Sequence, residues 1–152
     1  MYKTILLVFL VSVASWALIM ALFSLLARRA VGLGVRDGRL APCPGTPNCV
    51  CSQDEDRHAV EPLHFDGPPE EAWGRLKEVL ASLPRTRVVS SADGYLHAEC
   101  TSRLFRFVDD LECLLDPEAK VIHVRSASRA GRSDFGVNRR RVEAIRKAFE
   151  GS

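Results

Sequence analysis

The sequence predicts an α+β fold: an antiparallel sheet of about four strands with two helices packed on one face, preceded by one N-terminal transmembrane helix. Three observations support this prediction. The run from Thr4 to Leu26 contains no charged residue, and later in the chain two segments with helical spacing of apolar residues flank four strand-like runs. The 152 residues allow one globular domain, which we place at residues 41–152, after an anchor at 1–29 and a tether at 30–40.

The N-terminal run is long enough to cross a bilayer, because its residues would form a helix of roughly 34 Å against a hydrocarbon core of about 30 Å. A cleavable signal peptide is the alternative, since Lys3 supplies a short positive region before the run. The run is longer than the usual apolar region of a signal peptide and no A-x-A site follows it, which favours an uncleaved anchor. A stripe of small residues, Ala14, Ala17, Ala21 and Ser24, would allow a weak homodimer through the anchor.

The sequence leaves open which side of the membrane the domain faces. Arginines at positions 28, 29, 36 and 39 follow the span, and the positive-inside rule taken alone places the domain in the cytoplasm. The five cysteines of so short a chain favour an oxidising compartment instead.

The elements of the domain are predicted from periodicity and turn formers. A helix begins at Pro68-Pro69, where proline suits the first turn, and ends before Pro84. Strands are predicted at residues 86–90, 95–101, 104–115 and 120–127, and a final helix at 137–149. Residues 40–69 are rich in proline and turn formers, which predicts extended chain lying over the fold.

Two neighbouring aspartates are predicted to pair with arginines. Alternation places Asp109 on the same strand face as an apolar set and Asp110 on the opposite face. A buried carboxylate costs several kcal/mol unless it is paired and hydrogen-bonded. We therefore expect Asp109 or Asp110 to hold Arg125 or Arg129 in a bidentate bridge.

The catalytic candidates are His97, Glu99 and Asp109, which would form a metal or acid–base cluster on the sheet. No second histidine lies in register with His97, so the structural pairing of the aspartates is favoured over this cluster.

The segment from Arg125 to Arg141 holds six arginines at the seam between the last strand and the last helix. It is either an anion site or a hydrogen-bonded structural corner, with candidate ligand-binding residues Arg125, Ser126, Ser128, Arg129, Arg132, Asp134, Asn138 and Arg141. If Asp134 caps the helix, its carboxylate occupies the helix amides and competes with an outside anion. If Asn138 is the cap, those amides stay available to a phosphate or carboxylate.

Three sequence blocks resemble one family. The blocks CPGTPNCVCS at Cys43 to Ser52, FRFVDD at Phe105 to Asp110, and RSASRAGRSDFGVNRRR at Arg125 to Arg141 are similar to the family called domain of unknown function 1499. The similarity extends from about Ala41 to Phe149. It implies a small α/β domain that is often tethered to or exported across a membrane, in bacteria and plastid-containing organisms, and it implies no established activity. The sequence departs from the family pattern at Cys51, where serine is usual.

The N-terminal cysteines of the domain allow two interpretations. Cys43, Cys49, Cys51 and His58 offer four zinc ligands, but their spacing does not match the usual C-x2–4-C pairs and the resemblance lacks the third thiol. A disulfide between Cys43 and Cys49 is favoured if the domain is exported. We expect no metal.

The sequence contains no nucleophile elbow, phosphate loop, dinucleotide fingerprint or metalloprotease helix. Whether the protein is an enzyme is left open, with binding favoured. We expect a membrane-tethered binding or assembly module whose arginine-lined corner takes an acidic small molecule, a lipid headgroup or a partner protein. The alternative is a hydrolase that uses His97 and the carboxylates. No cofactor is expected, and no nucleic acid, because a basic helix beside an acidic sheet indicates internal pairing and no aromatic residues alternate with the arginines.

Overall fold

A computed structural model of the chain describes residues 1–26 and 32–151. The first element is a helix, α1 (Tyr2–Leu26), whose described side chains are almost all exposed. It is long and apolar enough to cross a membrane, a property that it shares with signal sequences near an N-terminus. Its Trp16 ring contacts the ring of Phe105 edge-on, with the centroids 5.3 Å apart.

The domain is built on a six-stranded sheet in which every pair of strands is antiparallel. A separate two-stranded hairpin precedes this sheet. The strands are β1 (Val35–Arg36), β2 (Arg39–Leu40), β3 (Cys49–Cys51), β4 (Leu63–His64), β5 (Thr86–Ala92), β6 (Tyr95–Thr101), β7 (Val108–Asp116) and β8 (Val121–Ser128). In the six-stranded sheet the strand order is β3-β8-β7-β6-β5, and β4 also pairs with β8.

Two helices, α2 (Pro69–Ser82) and α3 (Val137–Glu150), bury their apolar stripes in one core against the sheet. Leu76 and Leu80 of α2 and Ile145 of α3 are almost completely buried there, together with sheet residues such as Leu111 and Val124. Along the central strands, apolar residues such as Leu111 and Val124 alternate with polar residues. The apolar face of the sheet therefore packs against the helices. The predicted α+β class, with an N-terminal apolar helix, is confirmed.

The number of strands differs from the prediction of about four. The additional strands β3 and β4 come from residues 40–69, where we expected extended chain, and they pair with the edge of β8. Strands of three and two residues are too short to show alternation, so periodicity could not reveal them. Strand β7 begins at Val108 rather than at residue 104, because a turn closed between Ser102 and Phe107 occupies the start of the run.

The second face of the sheet is partly covered by the chain that follows α1. The backbone amide of Gly34 donates to Glu112 Oε1 on β7 at 2.7 Å, and Leu40 is buried. Residues 32–40, predicted as part of the tether, therefore form a hairpin that lies against the domain, while residues 27–31 of the predicted anchor and tether lie outside the described part of the chain.

Candidate functional site

The arginine-rich segment is divided between the two faces of the sheet. Strand β8 supplies Arg125 and Ser126, whose side chains point in opposite directions because successive residues of a strand alternate. Arg125 bonds to Glu112 on the face away from the helices, whereas Ser126 bonds to Asn138 of α3. The eight predicted ligand-binding residues therefore do not meet at one point.

Asn138 is the centre of the network on the helix side. It is completely buried, and its Oδ1 accepts from Ser126 Oγ at 2.6 Å and from Arg141 Nη1 at 2.5 Å. Its Nδ2 donates to Ser128 Oγ at 2.9 Å and to the carbonyl of Asn48 at 3.0 Å. These bonds tie the first turn of α3 to β8 and to the chain just before β3.

Asp134 occupies the amino end of α3. Its Oδ2 accepts from the Asn138 amide at 2.7 Å, and its Oδ1 accepts from the Gly136 amide at 3.0 Å. Burial raises the pKa of Asp134, but these hydrogen bonds outweigh burial and hold it below its ordinary value. A carboxylate already fills the place where an anion would meet the helix amides.

Asp109 lies on the same side as Asn138. Its Oδ2 accepts from Arg141 Nη2 at 2.5 Å, so its partner is an arginine of α3 and neither Arg125 nor Arg129. This ion pair joins β7 to the helix.

Asp110 anchors a second network on the opposite face. Arg129 binds it through two hydrogen bonds, Nε to Oδ2 at 2.9 Å and Nη2 to Oδ1 at 2.6 Å. His97 Nε2 lies 2.7 Å from the same Oδ1. Burial raises the pKa of Asp110, but the bonds from Arg129 and His97 lower it below its ordinary value. The hydrogen bonds that Arg129 donates to Asp110 raise the pKa of Arg129, which therefore stays charged.

Two glutamates on the same face of the sheet, Glu99 and Glu112, bind further arginines. Glu99 on β6 accepts from Arg129 at 2.8 Å and from Arg87 at 2.7 Å. Glu112 is fully buried on β7, where it accepts from Arg125 Nη1 at 2.7 Å and from the Tyr95 hydroxyl at 2.8 Å. Burial and the Glu112 carboxylate both raise the pKa of Tyr95. Asp110, Glu99 and Glu112 therefore each have an arginine partner. The sheet-face network, as it is called below, consists of these three carboxylates with Tyr95, His97, Arg125 and Arg129.

A cavity of about 380 Å³ lies between the sheet-face network and the chain that follows the hairpin. Asp110, Arg125 and Arg129 line it from the sheet, and Pro42 and Cys43 line it from the covering chain. Arg125 is 4% exposed, and its Nε is buried without a hydrogen-bond partner. A guanidinium has five N–H donors, and Arg125 donates one hydrogen bond to Glu112. Other N–H groups of Arg125 can therefore donate to an acceptor in the cavity.

The catalytic candidates do not form one cluster. His97 and Glu99 lie on the sheet-face side, while Asp109 lies on the helix side with Arg141. The carboxylate beside His97 is that of Asp110. Arg132 is exposed and has no ion pair among residues 1–26 and 32–151.

The family resemblance expected from the three sequence blocks is confirmed. A family model described as a protein of unknown function (DUF1499) matches residues 39–149, most of the chain after α1. The chain belongs to the DUF1499 family. No curated protein and no solved structure matches the chain.

Some residues of the site in this DUF1499 domain were missed by the sequence analysis. Glu112 was not recognised as a partner for Arg125, although the short turn between β7 and β8 sets these two residues opposite each other. Asn48 and Tyr95 gave no signal of their role, because each contacts residues that are distant in sequence.

The cysteines of the DUF1499 domain lie at the rim of the cavity and in the core. Cys43 and Cys49 form a disulfide with Cα atoms 5.6 Å apart, which fastens the covering chain to β3. Cys51, Cys100 and Cys113 are free and buried, and burial raises the pKa of each thiol. Within the part of the chain that the structure describes, no group of His, Cys, Asp and Glu is arranged to hold a metal ion.

Proposed function

We propose that this protein is a membrane-tethered binding domain that takes a small acidic molecule in the cavity beside Arg125 and Arg129. One observation carries the proposal: Arg125 is buried, lines the cavity and keeps its Nε without a partner. A buried donor without a partner costs about 1–3 kcal/mol, and an acceptor that reaches this Nε from the cavity would recover that free energy. A carboxylate or phosphate offers several acceptor atoms to a guanidinium.

Comparison with another cavity supports the choice of site. A cavity of about 390 Å³ lies beside Arg75 and Lys120, on the far side of the core. There the Arg75 guanidinium already stacks over the Phe149 ring, 4.4 Å from its centroid. The cavity at Arg125 differs because two buried arginines line it together.

The proposal concerns the sheet face and not the amino end of α3. Asp134 occupies the helix amides, and Asn138 and Arg141 bond to each other and to Asp109. We therefore place the ligand with Arg125 and Arg129, and give Ser126, Ser128, Asn138 and Arg141 a structural role.

A thermal-shift titration with inorganic phosphate, sulfate and citrate tests the proposal on the full-length protein in detergent. A ligand at about 100 times its dissociation constant should raise the free energy of unfolding by about 2.7 kcal/mol. Ala127 lines the cavity with a small side chain, so Ala127→Leu should fill it, keep the ion pairs and abolish the stabilisation. Lys147→Ala is the matched control, because Lys147 is exposed in the last turn of α3, does not line the cavity and should not affect the response. Equal stabilisation of the wild type and Ala127→Leu would refute the site.

A hydrolase is the second candidate, and it rests on the 2.7 Å contact between His97 and Asp110. A histidine held by a carboxylate is the arrangement of a general base. This candidate is less well supported, because Arg129 also holds the same carboxylate and stabilises its charge. A screen of generic ester and phosphoester substrates with wild type and His97→Gln distinguishes the two functions. Turnover that His97→Gln abolishes would favour the enzyme.

We also propose that α1 stays attached as the membrane anchor and that the domain faces an oxidising compartment. The Cys43–Cys49 disulfide supports this side, since such bonds persist outside the reducing cytosol. The full-length protein should remain in membranes after alkaline carbonate washing. Protease added to sealed vesicles of known orientation should remove a C-terminal epitope tag only from the side on which the domain lies. A soluble protein with a trimmed N-terminus would show that α1 is a signal peptide.

A further inference from the structure

The end of the sheet that carries the β6–β7 loop presents exposed apolar side chains. Leu104, in this loop, is 77% exposed, and Phe135, between β8 and α3, is 88% exposed. The two loops are neighbours, because the Arg129 amide donates to the Val108 carbonyl where β8 ends beside the start of β7. Outside α1, no other described large apolar residue is as exposed as these two.

Three arginines lie close in sequence to these two apolar residues. Arg103 and Arg106 flank the pair Leu104-Phe105, and Arg132 precedes Phe135 by three positions. All three arginines are exposed. Apolar side chains interleaved with arginines suit the boundary of a bilayer, where the apolar groups enter the acyl region and the guanidinium groups reach back to phosphates.

The contact between Trp16 and Phe105 places this end of the domain against α1. Trp16 lies six residues before Leu22, the end of the membrane-length segment, which corresponds to about 9 Å along the helix. Amphipathic segments at membrane surfaces bury their apolar side by about 5–10 Å. A loop that touches Trp16 therefore lies at the depth of an inserted interfacial segment.

Phe135 has a φ of 53°, a left-handed conformation that is unfavourable for a bulky residue. The ring of Phe135 is thus exposed by a backbone conformation that costs free energy. Helix α3 begins two residues later. Insertion into a membrane would compensate for exposing this ring to water.

We propose that the Leu104 and Phe135 loops insert into the bilayer interface beside the anchor, with Arg103, Arg106 and Arg132 bound to lipid phosphates. The inserted loops fix the orientation of the domain, so that the opposite end of the sheet, with the β7–β8 turn, points away from the membrane. This contact does not depend on a ligand in the cavity. It depends on α1 remaining in the bilayer.

Spin labels on the full chain, reconstituted in phospholipid vesicles, test the orientation. Labels at Leu104→Cys and Phe135→Cys are compared with a label at Glu118→Cys in the β7–β8 turn and one at Val8→Cys in α1. The native chain serves as the background, because its free thiols are buried. We expect the ratio of oxygen to nickel-chelate accessibility at 104 and 135 to lie well above that at 118 and towards that at 8. A ratio equal to that at 118, or low accessibility to both reagents from a protein contact, would overturn the proposal.

The lipid composition tests the role of the arginines. We expect the labels at 104 and 135 to lie deeper in vesicles that contain phosphatidylglycerol than in pure phosphatidylcholine vesicles, because anionic lipids attract basic residues. The combined change Arg103→Gln and Arg106→Gln should remove this difference, whereas Lys120→Gln, in the β7–β8 turn at the opposite end of the sheet, should not. Equal depth in the two lipids for the native arginines would refute phosphate binding by these side chains.

Discussion

Arg129 and Asp110 face each other with two parallel hydrogen bonds, of 2.9 Å and 2.6 Å, on the sheet face away from the helices. Both side chains are almost fully buried. Glu99 and His97 bond to the same pair, so four side chains from β6, β7 and the end of β8 depend on one guanidinium–carboxylate contact.

Loss of one partner of this pair should destabilise the domain. Arg129→Ala leaves Asp110 buried without its cation, which should cost about 3–5 kcal/mol in the free energy of unfolding. Arg129→Lys should cost less, because it keeps the charge but loses the bidentate geometry. Urea denaturation in detergent measures both, with exposed Arg132→Ala as the control. An Arg129→Ala protein as stable as the control would show that the pair contributes no stability.

The two networks should respond independently. Arg129 binds Asp110 and Glu99 on one face, and Arg141 binds Asp109 on the other. Arg129→Ala and Arg141→Ala should therefore add to within about 0.5 kcal/mol, whereas Arg129→Ala and Asp110→Asn should couple by about 0.5–3 kcal/mol. Double-mutant cycles from urea denaturation distinguish these cases. Strong coupling between Arg129 and Arg141 would contradict the separation of the faces.

The sheet-face network should make the domain sensitive to acid. Burial raises the pKa of Asp110 and Glu99, but hydrogen bonds from Arg129 and their other partners hold both below their ordinary values. A carboxyl with a lowered pKa in the folded state contributes stability above its ordinary value of about 4, and this contribution is lost as the pH falls through the folded value.

Urea denaturation midpoints from pH 7 downwards measure this loss, which should begin at about pH 4–5. The loss should be smaller in Asp110→Asn, since that variant no longer gains a proton at this position. Asp93→Asn, in the exposed β5–β6 turn, should retain the full loss. An Asp110→Asn profile parallel to that of the wild type would rule out Asp110 as a source of the acid sensitivity.

The cysteines should differ in reactivity. Mass spectrometry of the unreduced protein should recover Cys43 linked to Cys49. Cys51, Cys100 and Cys113 should alkylate only after denaturation, because all three are buried and burial suppresses their thiolates. Rapid alkylation of Cys51 in the native protein, or its presence in the bridge, would contradict this assignment.

The sequence predicted the elements that depend on local periodicity. The apolar run of α1, the helical stripes of α2 and α3 and the alternation in β6 and β8 all repeat over several residues, so each indicates its own structure without its neighbours. The same alternation placed Asp109 and Asp110 on opposite faces of β7, as the structure has them. The short strands β3 and β4 repeat too few times to be found in this way.

The tertiary structure alone decided which arginine meets which carboxylate. Arg141 reaches Asp109 from a helix 32 residues later in the chain, and Arg129 meets Asp110 and Glu99 from the segment after β8. The same folding brings the chain around Cys43 over the sheet and creates the cavity beside Arg125. Such contacts depend on the packing of distant segments, which a one-dimensional pattern does not encode.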